Sequence, residues 1–467
     1  MSATIDNDLQ SSLTAPKSWR EHIRASLALG IPLVGGQLGL MLMNTTDTVM
    51  LGWYGVEELA AGVLATQAYF IVMIFGAGIG QALVPMVGQA VGSDDQRAVR
   101  RMVRMGLWLA VLYALLTMPL FFFGEEILLS LGQDPTVAVL AGQYLVISVW
   151  ALYPTLLANS LRAFLSAVEH AQIILWSTLT AALANGVINY MLIFGNWGAP
   201  ELGIRGAAIA TLLVNILMFG AMAAYITVHQ RTRPYEVFAR FWRADWPAFT
   251  ELFKLGLPIG IGIVAEVGMF TLASIMVGWL GVTSLAAHGI VMQIAAIAFM
   301  VPLGMSQAAT VRVSNALGRK DAINLARAAH SVMIVAVCFA MFSATLFFSV
   351  PEFLVGLFLD ETQEGVAAVA SYAVPLLFVA AIFQLVDSAQ IIAVGQLRGL
   401  KDTKIPMLFA LFSYWGVGMS VAYLLGIRLE LGGVGIWTGL ASGLAVACLL
   451  AVWRFAAIRP RTIVSPA

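Results

Sequence analysis

MLGWYGVEELAA at residues 50–61 returns as MVGWLGVTSLAA at residues 276–287, and LGIP at 29–32 returns as LGLP at 255–258. One constant offset of 226 residues carries the match from Leu29 to Asp95 without a gap. It sets Gln67 on Gln293, Gln81 on Gln307 and Gly92 on Gly318. Apolar low complexity would not hold Gly, Pro, Trp and Gln in register, so the chain contains one unit twice. Internal repeats of this kind build two bundles around a shared central site.

The unit repeated is a set of membrane helices. Of the 467 residues 60% are hydrophobic and 11% charged, with a mean hydropathy of +0.89, too apolar for a soluble domain. The apolar residues fall in twelve blocks, roughly 25–48, 60–86, 103–123, 137–160, 171–194, 204–228, 250–277, 284–310, 325–349, 366–395, 405–427 and 433–455. Blocks of about 20 residues cross a bilayer as helix, and continuous rather than alternating apolarity argues against a barrel. The charges test the count: with both termini inside, 23 Lys and Arg fall on the inner side and only Arg205 and Arg428 on the outer. One helix more or fewer would scramble that asymmetry.

The expected architecture is therefore an all-α membrane protein, twelve helices in two six-helix lobes related by a pseudo-two-fold axis along the membrane normal. A cytoplasmic segment 1–24 precedes the N-lobe, 25–228. A basic linker, 229–249, leads to the C-lobe, 250–455, and a cytoplasmic tail, 456–467. The N-terminus has no cleavable signal pattern, so the first span is expected to direct insertion. A monomer in the bacterial inner (cytoplasmic) membrane is expected. Zero net charge suggests no nucleic-acid partner, and Cys338 and Cys448 have no metal-type spacing. HExxH, GxSxG and DDxxD patterns are absent, so no enzyme is expected and no cofactor. Acids such as Glu57, Glu125, Glu201, Glu352, Asp360, Glu361 and Glu364 read as solvated charge in outer loops.

Three acids fall inside spans: Asp47, Glu266 and Asp387. A central Asp costs about 2.5–3.5 kcal/mol on insertion, and such residues usually mark ion or substrate pathways; a snorkelling acid or a capped kink is the alternative. Glu266 follows Lys254 by 12 residues and Asp387 precedes Arg398 by 11. At 1.5 Å per residue both lie near the midplane of a core about 30 Å thick. Two carboxylates at one depth in one lobe can share a proton or a hard cation. Asp47 belongs to the outer third, at the level of Asn185 and Asn189, which share a helix face at i, i+4, and of Thr211. Hard cations such as Na+ want such oxygens; plain interhelical hydrogen bonding by Asn and Thr is the competing reading. Phe299 is a candidate cation–π contact for a substrate, or ordinary packing. Pro32, Pro258, Pro85 and Pro302 mark kinks within spans.

DTVMLGWYG at 47–55, NYMLIFGNWGAPELGIRGAAIAT at 189–211, VRVSNALGRKDA at 311–322 and LRGLKDTKIP at 397–406 resemble the multidrug and toxic compound extrusion (MATE) family, in its NorM-like branch. The resemblance runs over nearly the whole chain. It implies twelve helices in two lobes and export of organic cations such as dyes and fluoroquinolones, driven by entry of Na+ or H+. By resemblance, Glu266 and Asp387 match the family's cation-coupling acids, and Asp47, Asn185, Asn189 and Thr211 its polar N-lobe site. Some relatives carry tyrosine where Phe299 stands, so direct oxygen coordination there is lost while a cation–π contact is kept. The number of oxygens tilts the coupling ion towards Na+. A flippase for lipid-linked sugars is the rival, since a related superfamily shares the lobes. It would want basic residues in its cleft, and the sequence reading places no Lys or Arg deep in a span.

Overall fold

The computed structural model describes residues 18–359 and 365–464, the last six of these by their backbone only. Lys17, Asp360, Glu361, Glu364 and the side chains of Arg459 and Arg461, assigned above to loops and ends, lie outside what is described.

Twelve helices are long and apolar enough to cross a membrane. They are α1 Trp19–Tyr54, α2 Val56–Gly92, α3 Gln96–Phe122, α4 Pro135–Ala167, α5 Ala171–Phe194, α6 Ile204–Val228, α7 Trp246–Gly278, α8 Val282–Gly318, α9 Ala322–Ser349, α10 Val366–Gly399, α11 Lys404–Arg428 and α12 Gly432–Ile458. Local chemistry marks their starts. Ser18 and Glu21 form a reciprocal capping box on α1. Asp95 and Asp321, one repeat apart, accept the backbone N–H of Ala98 and Asn324 at the starts of α3 and α9, both at 2.9 Å. Pro85 has no N–H to give to Gln81, and α2 breaks into Val56–Gly80 and Leu83–Gly92 just there. Pro302, by contrast, lies within an unbroken α8.

The same helix pairs pack in both halves. In the N-lobe α1 lies on α5, α2 and α3 on α4, and α4 on α6; in the C-lobe α7 lies on α11, α8 and α9 on α10, and α10 on α12. One buried apolar core lies around Leu152 in the N-lobe and another around Trp437 and Leu376 in the C-lobe, while a third, around Phe164, takes in Ile259, Ala308 and Val311 of the C-lobe.

Contacts between the lobes obey the repeat residue by residue. Gly30 meets Met305, and one repeat on Gly256 meets Ile79; Val34 meets Gly304, and Gly260 meets Gly78. Two contacts map onto themselves: Gly88 lies on Ser314 and Gly92 on Gly318, each the other's equivalent, so the pseudo-two-fold axis passes between the ends of α2 and α8. A Cβ at Gly92 would lie 3.0 Å from Gly318 Cα and one at Gly78 2.8 Å from Gly260 Cα. Small residues are what lets these backbones approach.

These contacts all sit towards the ends that carry the basic residues. There Arg312 of α8, itself buried, donates to His22 O of α1 at 2.7 Å and bonds Ser26 as well. Asn315 reaches Ala167 O at 3.3 Å. The linker, residues 229–245, is strapped to α3: Arg100 pairs with Glu236 at 2.7 Å and donates to Tyr235 O, Arg104 donates to Arg240 O, and Trp108 to Phe241 O. Asp245 caps α7 and bonds Arg101, whose guanidinium holds that carboxyl below its usual range. At the opposite ends the equivalent residues Trp53 and Trp279 are both largely exposed. The lobes are joined at the basic face.

Candidate functional site

The N-lobe brings its predicted polar residues to one carboxylate. Asp47, near the far end of α1, accepts from Asn185 Nδ2 at 2.9 Å and from Asn189 Nδ2 at 2.5 Å. Asn189 Nδ2 also donates to Asn185 Oδ1 at 3.3 Å. Both asparagines are fully buried on α5. Thr211 of α6 and Tyr144 of α4 lie beside them. Hydrogen bonds to a charged group are worth about 1.5–3 kcal/mol each, so the two amides go far towards offsetting the cost of holding Asp47 inside the bundle. The amides present N–H to the acid, as proton-free carboxylate chemistry requires. Both would have to turn round to offer oxygens to Na+. Asn189 Oδ1 and Thr211 Oγ1 are left buried without a partner.

The C-lobe is built differently. Glu266 of α7 and Asp387 of α10 lie close enough for their charges to interact. Tyr414 of α11 stands against both, buried, its hydroxyl accepting from Gln390 Nε2 at 2.8 Å. Tyr414 falls in a π-helical stretch, Phe412–Gly418, the wider coil that commonly marks functional positions. Glu266, Gln390, Tyr414 and Arg398 line one small cavity with Gly262, Thr403 and Met407, about 30 Å³ in volume. On the same helices, α10 and α11, Asp387 Oδ1, both polar atoms of Gln384, Ser388 Oγ, Gln390 Oε1 and Ser413 Oγ are buried with no hydrogen-bond partner. Native interiors rarely leave such groups unpaired, so this cluster has unspent capacity to bind water, a proton or a cation.

Tyr414, Gln384, Gln390 and Arg398 escape the sequence reading. Their signal is present: FQLVDSAQ at 383–390 and LFSYWG at 411–416 are polar interruptions of apolar spans. Phe299, by contrast, packs in an apolar cluster with Met305, Ile391 and Ile392.

The expectation that no Lys or Arg lies deep is overturned. Arg398, counted to the inner edge, turns its guanidinium inward to the Glu266 cavity and donates to Gln81 Oε1 of the N-lobe at 3.0 Å. Arg162 of α4 likewise reaches back along its bundle to Gly36, at the midpoint of α1; a Cβ there would lie 3.4 Å from Arg162 Nη2. Long side chains cover some 6 Å beyond their Cα, and counting along the helix axis misses this.

The family model MatE matches residues 32–191 and 258–424, one span in each lobe. The chain belongs to the MatE family. It is 48% identical over 467 residues (100% of this chain, 99% of the relative) to a probable multidrug resistance protein NorM of Rhizobium meliloti strain 1021. It is 39% identical over 461 residues (97% of each) to one of Brucella suis biovar 1. Among solved structures, one described as the outward-facing conformation of a multidrug resistance MATE family transporter of the MOP superfamily matches with a TM-score of 0.86 at 17% identity, over 95% of this chain and 97% of that one. The eukaryotic MATE transporter AtDTX14 matches at 0.83 and 19%, over 95% and 99%. The MatE chain described here is thus a twelve-helix, two-lobed membrane transporter and not an enzyme.

Proposed function

We propose that this protein is a secondary active multidrug efflux antiporter of the bacterial inner membrane, exporting cationic or amphipathic small molecules in exchange for Na+ or H+. The names of its full-length relatives support efflux of drugs. The basic face is cytoplasmic by the positive-inside asymmetry, with both termini there, and the protein works as a monomer without cofactor. The lobes meet at that face, as an outward-facing form requires. In it the coupling ion enters from outside and neutralises Glu266 and Asp387, which releases a cationic substrate. The lobes then rock, the ion leaves inward, and the bared acids attract the next substrate.

The observation that carries this reading is the pair of acids, Asp387 Oδ1 itself unpartnered, accompanied on α10 and α11 by five more buried polar atoms with no partner. A structural network would have closed on itself, as the Asp47 cluster nearly does. The test is ethidium efflux from proteoliposomes with Na+ and pH gradients imposed separately, on wild type and on Glu266→Gln and Asp387→Asn. Wild type is expected to respond to one gradient and the variants to neither. Wild-type efflux from either variant sinks the mechanism. No response of wild type to either gradient returns the choice to the flippase.

A further inference from the structure

Arg162 and Arg398 are equivalents. Each follows Leu near the basic end of its lobe's fourth helix, in SLRA at 160–163 and QLRG at 396–399. Arg162 Nη2 would lie 3.4 Å from a Cβ on Gly36 of α1, and Arg398 lines one cavity with Gly262 of α7, the glycine one repeat on from Gly36. The surroundings differ in one respect. Arg398 has Glu266 within electrostatic reach and Gln81 as a hydrogen-bond partner. One repeat back from Glu266 stands Leu40, and the equivalent of Gln81 is Gln307, which makes no hydrogen bond to Arg162. Arg162 has no hydrogen bond and no acid near it among the described residues. It is only partly exposed, yet none of its nitrogens is sealed from solvent. A guanidinium half-buried in the bundle thus opens onto accessible space, and at the position where its twin meets a carboxylate the chain supplies a leucine.

We infer that Arg162 is the binding residue for a carboxylate carried by the transported molecule. The N-lobe is a half-site that the substrate itself completes. A planar guanidinium takes a carboxylate by two parallel N–H···O bonds; Arg162 has no acid of its own, Leu40 standing where its twin has Glu266, and Gly36 carries no side chain to cover it. A zwitterionic amphipath would then place its carboxylate on Arg162 in the N-lobe and its cationic end towards Glu266 and Asp387 in the C-lobe. The inference deepens the efflux reading above and rests on it.

The test uses a xanthene dye in two forms, the free acid (a zwitterion) and its ethyl ester (a cation), with binding to the purified full-length protein in nanodiscs followed by fluorescence anisotropy. Wild type is expected to bind both. Arg162→Gln is expected to weaken the acid at least tenfold and the ester by less than twofold, and Arg162→Lys to recover most of the loss. Leu40→Glu, which supplies the missing carboxylate from within and leaves Arg162 in place, is expected to displace the acid dye selectively; it carries the test should Arg162→Gln not fold. Equal loss of both dyes, or no loss of either, overturns the inference, as does wild type that binds the ester but not the acid; in that last case the efflux reading survives. Wild type that binds neither dye removes the efflux reading and this one with it.

Discussion

The two lobes share a backbone plan and differ in how they treat charge. In the N-lobe the acid is near the far end of α1 and its carboxylate is answered by two amides from α5, a regular helix. In the C-lobe two acids lie about two turns deeper, and the matching helix α11 is wound as π-helix over Phe412–Gly418 and Leu424–Arg428. One site is nearly closed in on itself and the other is open-ended. Duplicated architecture need not carry duplicated function: on the efflux reading proposed above, the satisfied carboxylate holds helices together and the acid pair is available to exchange its counter-ion.

The sharpest way to break the comparison is to remove the acids lobe by lobe. Glu266→Gln and Asp387→Asn are each expected to lower gradient-driven efflux at least a hundredfold with membrane levels unchanged, while Asp47→Asn lowers it about tenfold; equal effects from all three would mean that the lobes share the coupling task. Next in size is the joint at the axis. Gly92→Leu puts a side chain against the Asn315 carbonyl and Gly318, so the basic face should not close. Labelling of a cysteine introduced at Ser314, buried in the joint, by a membrane-impermeant maleimide in inverted vesicles should rise severalfold, and unchanged labelling would show that the joint gives way without cost. Asn185→Ala removes one of the two amide donors to Asp47 and is expected to cost about 1.5–3 kcal/mol, read as a fall in the temperature of half-unfolding in detergent. Tyr414→Phe removes an acceptor worth about 1 kcal/mol to Gln390, so the apparent affinity for the coupling cation should move about fivefold with little change in maximal rate. The smallest effect belongs to the linker. Asp245→Ala loses a helix cap worth about 1 kcal/mol. Because Arg101 holds that carboxyl low, its contribution is present above the ordinary carboxylate range and lost as the pH falls through the lowered value. Wild type and variant should therefore converge in thermal stability only in acid.

The twelve helices and two lobes were legible because the signals behind them are long and redundant: blocks of apolar residues, a one-sided distribution of Lys and Arg, and a gapless repeat. The Asp47 cluster was legible for a related reason, since three helices could be measured from their ends to one level. What escaped was set by side-chain reach and local winding. Arg162 and Arg398 are counted at the membrane edge by their backbone, yet their guanidinium groups reach about 6 Å further in. The π-helical turn that presents Tyr414 shifts helix phase by one residue, and a period of 3.6 cannot anticipate it. Phe299 reads as a ring in the right span, and its packing against the apolar cluster of Met305 and Ile392 shows only in the structure.

The residues on the pseudo-two-fold axis have a further consequence. In a dimer of two identical six-helix chains, a residue on the axis meets its own copy, so every substitution is made twice at one place. A serine at the position of Gly88 would then face a serine, and a glycine a glycine; the first crowds and the second leaves a gap. Within one continuous chain the two positions are separate letters, and here they have become Gly88 and Ser314, a side chain fitted to the absence of one. The freedom that lets a closing surface interlock as knob and socket is the same freedom that put Glu266 in one lobe and Leu40 in the other. Joining the halves turned a symmetric contact into a complementary one.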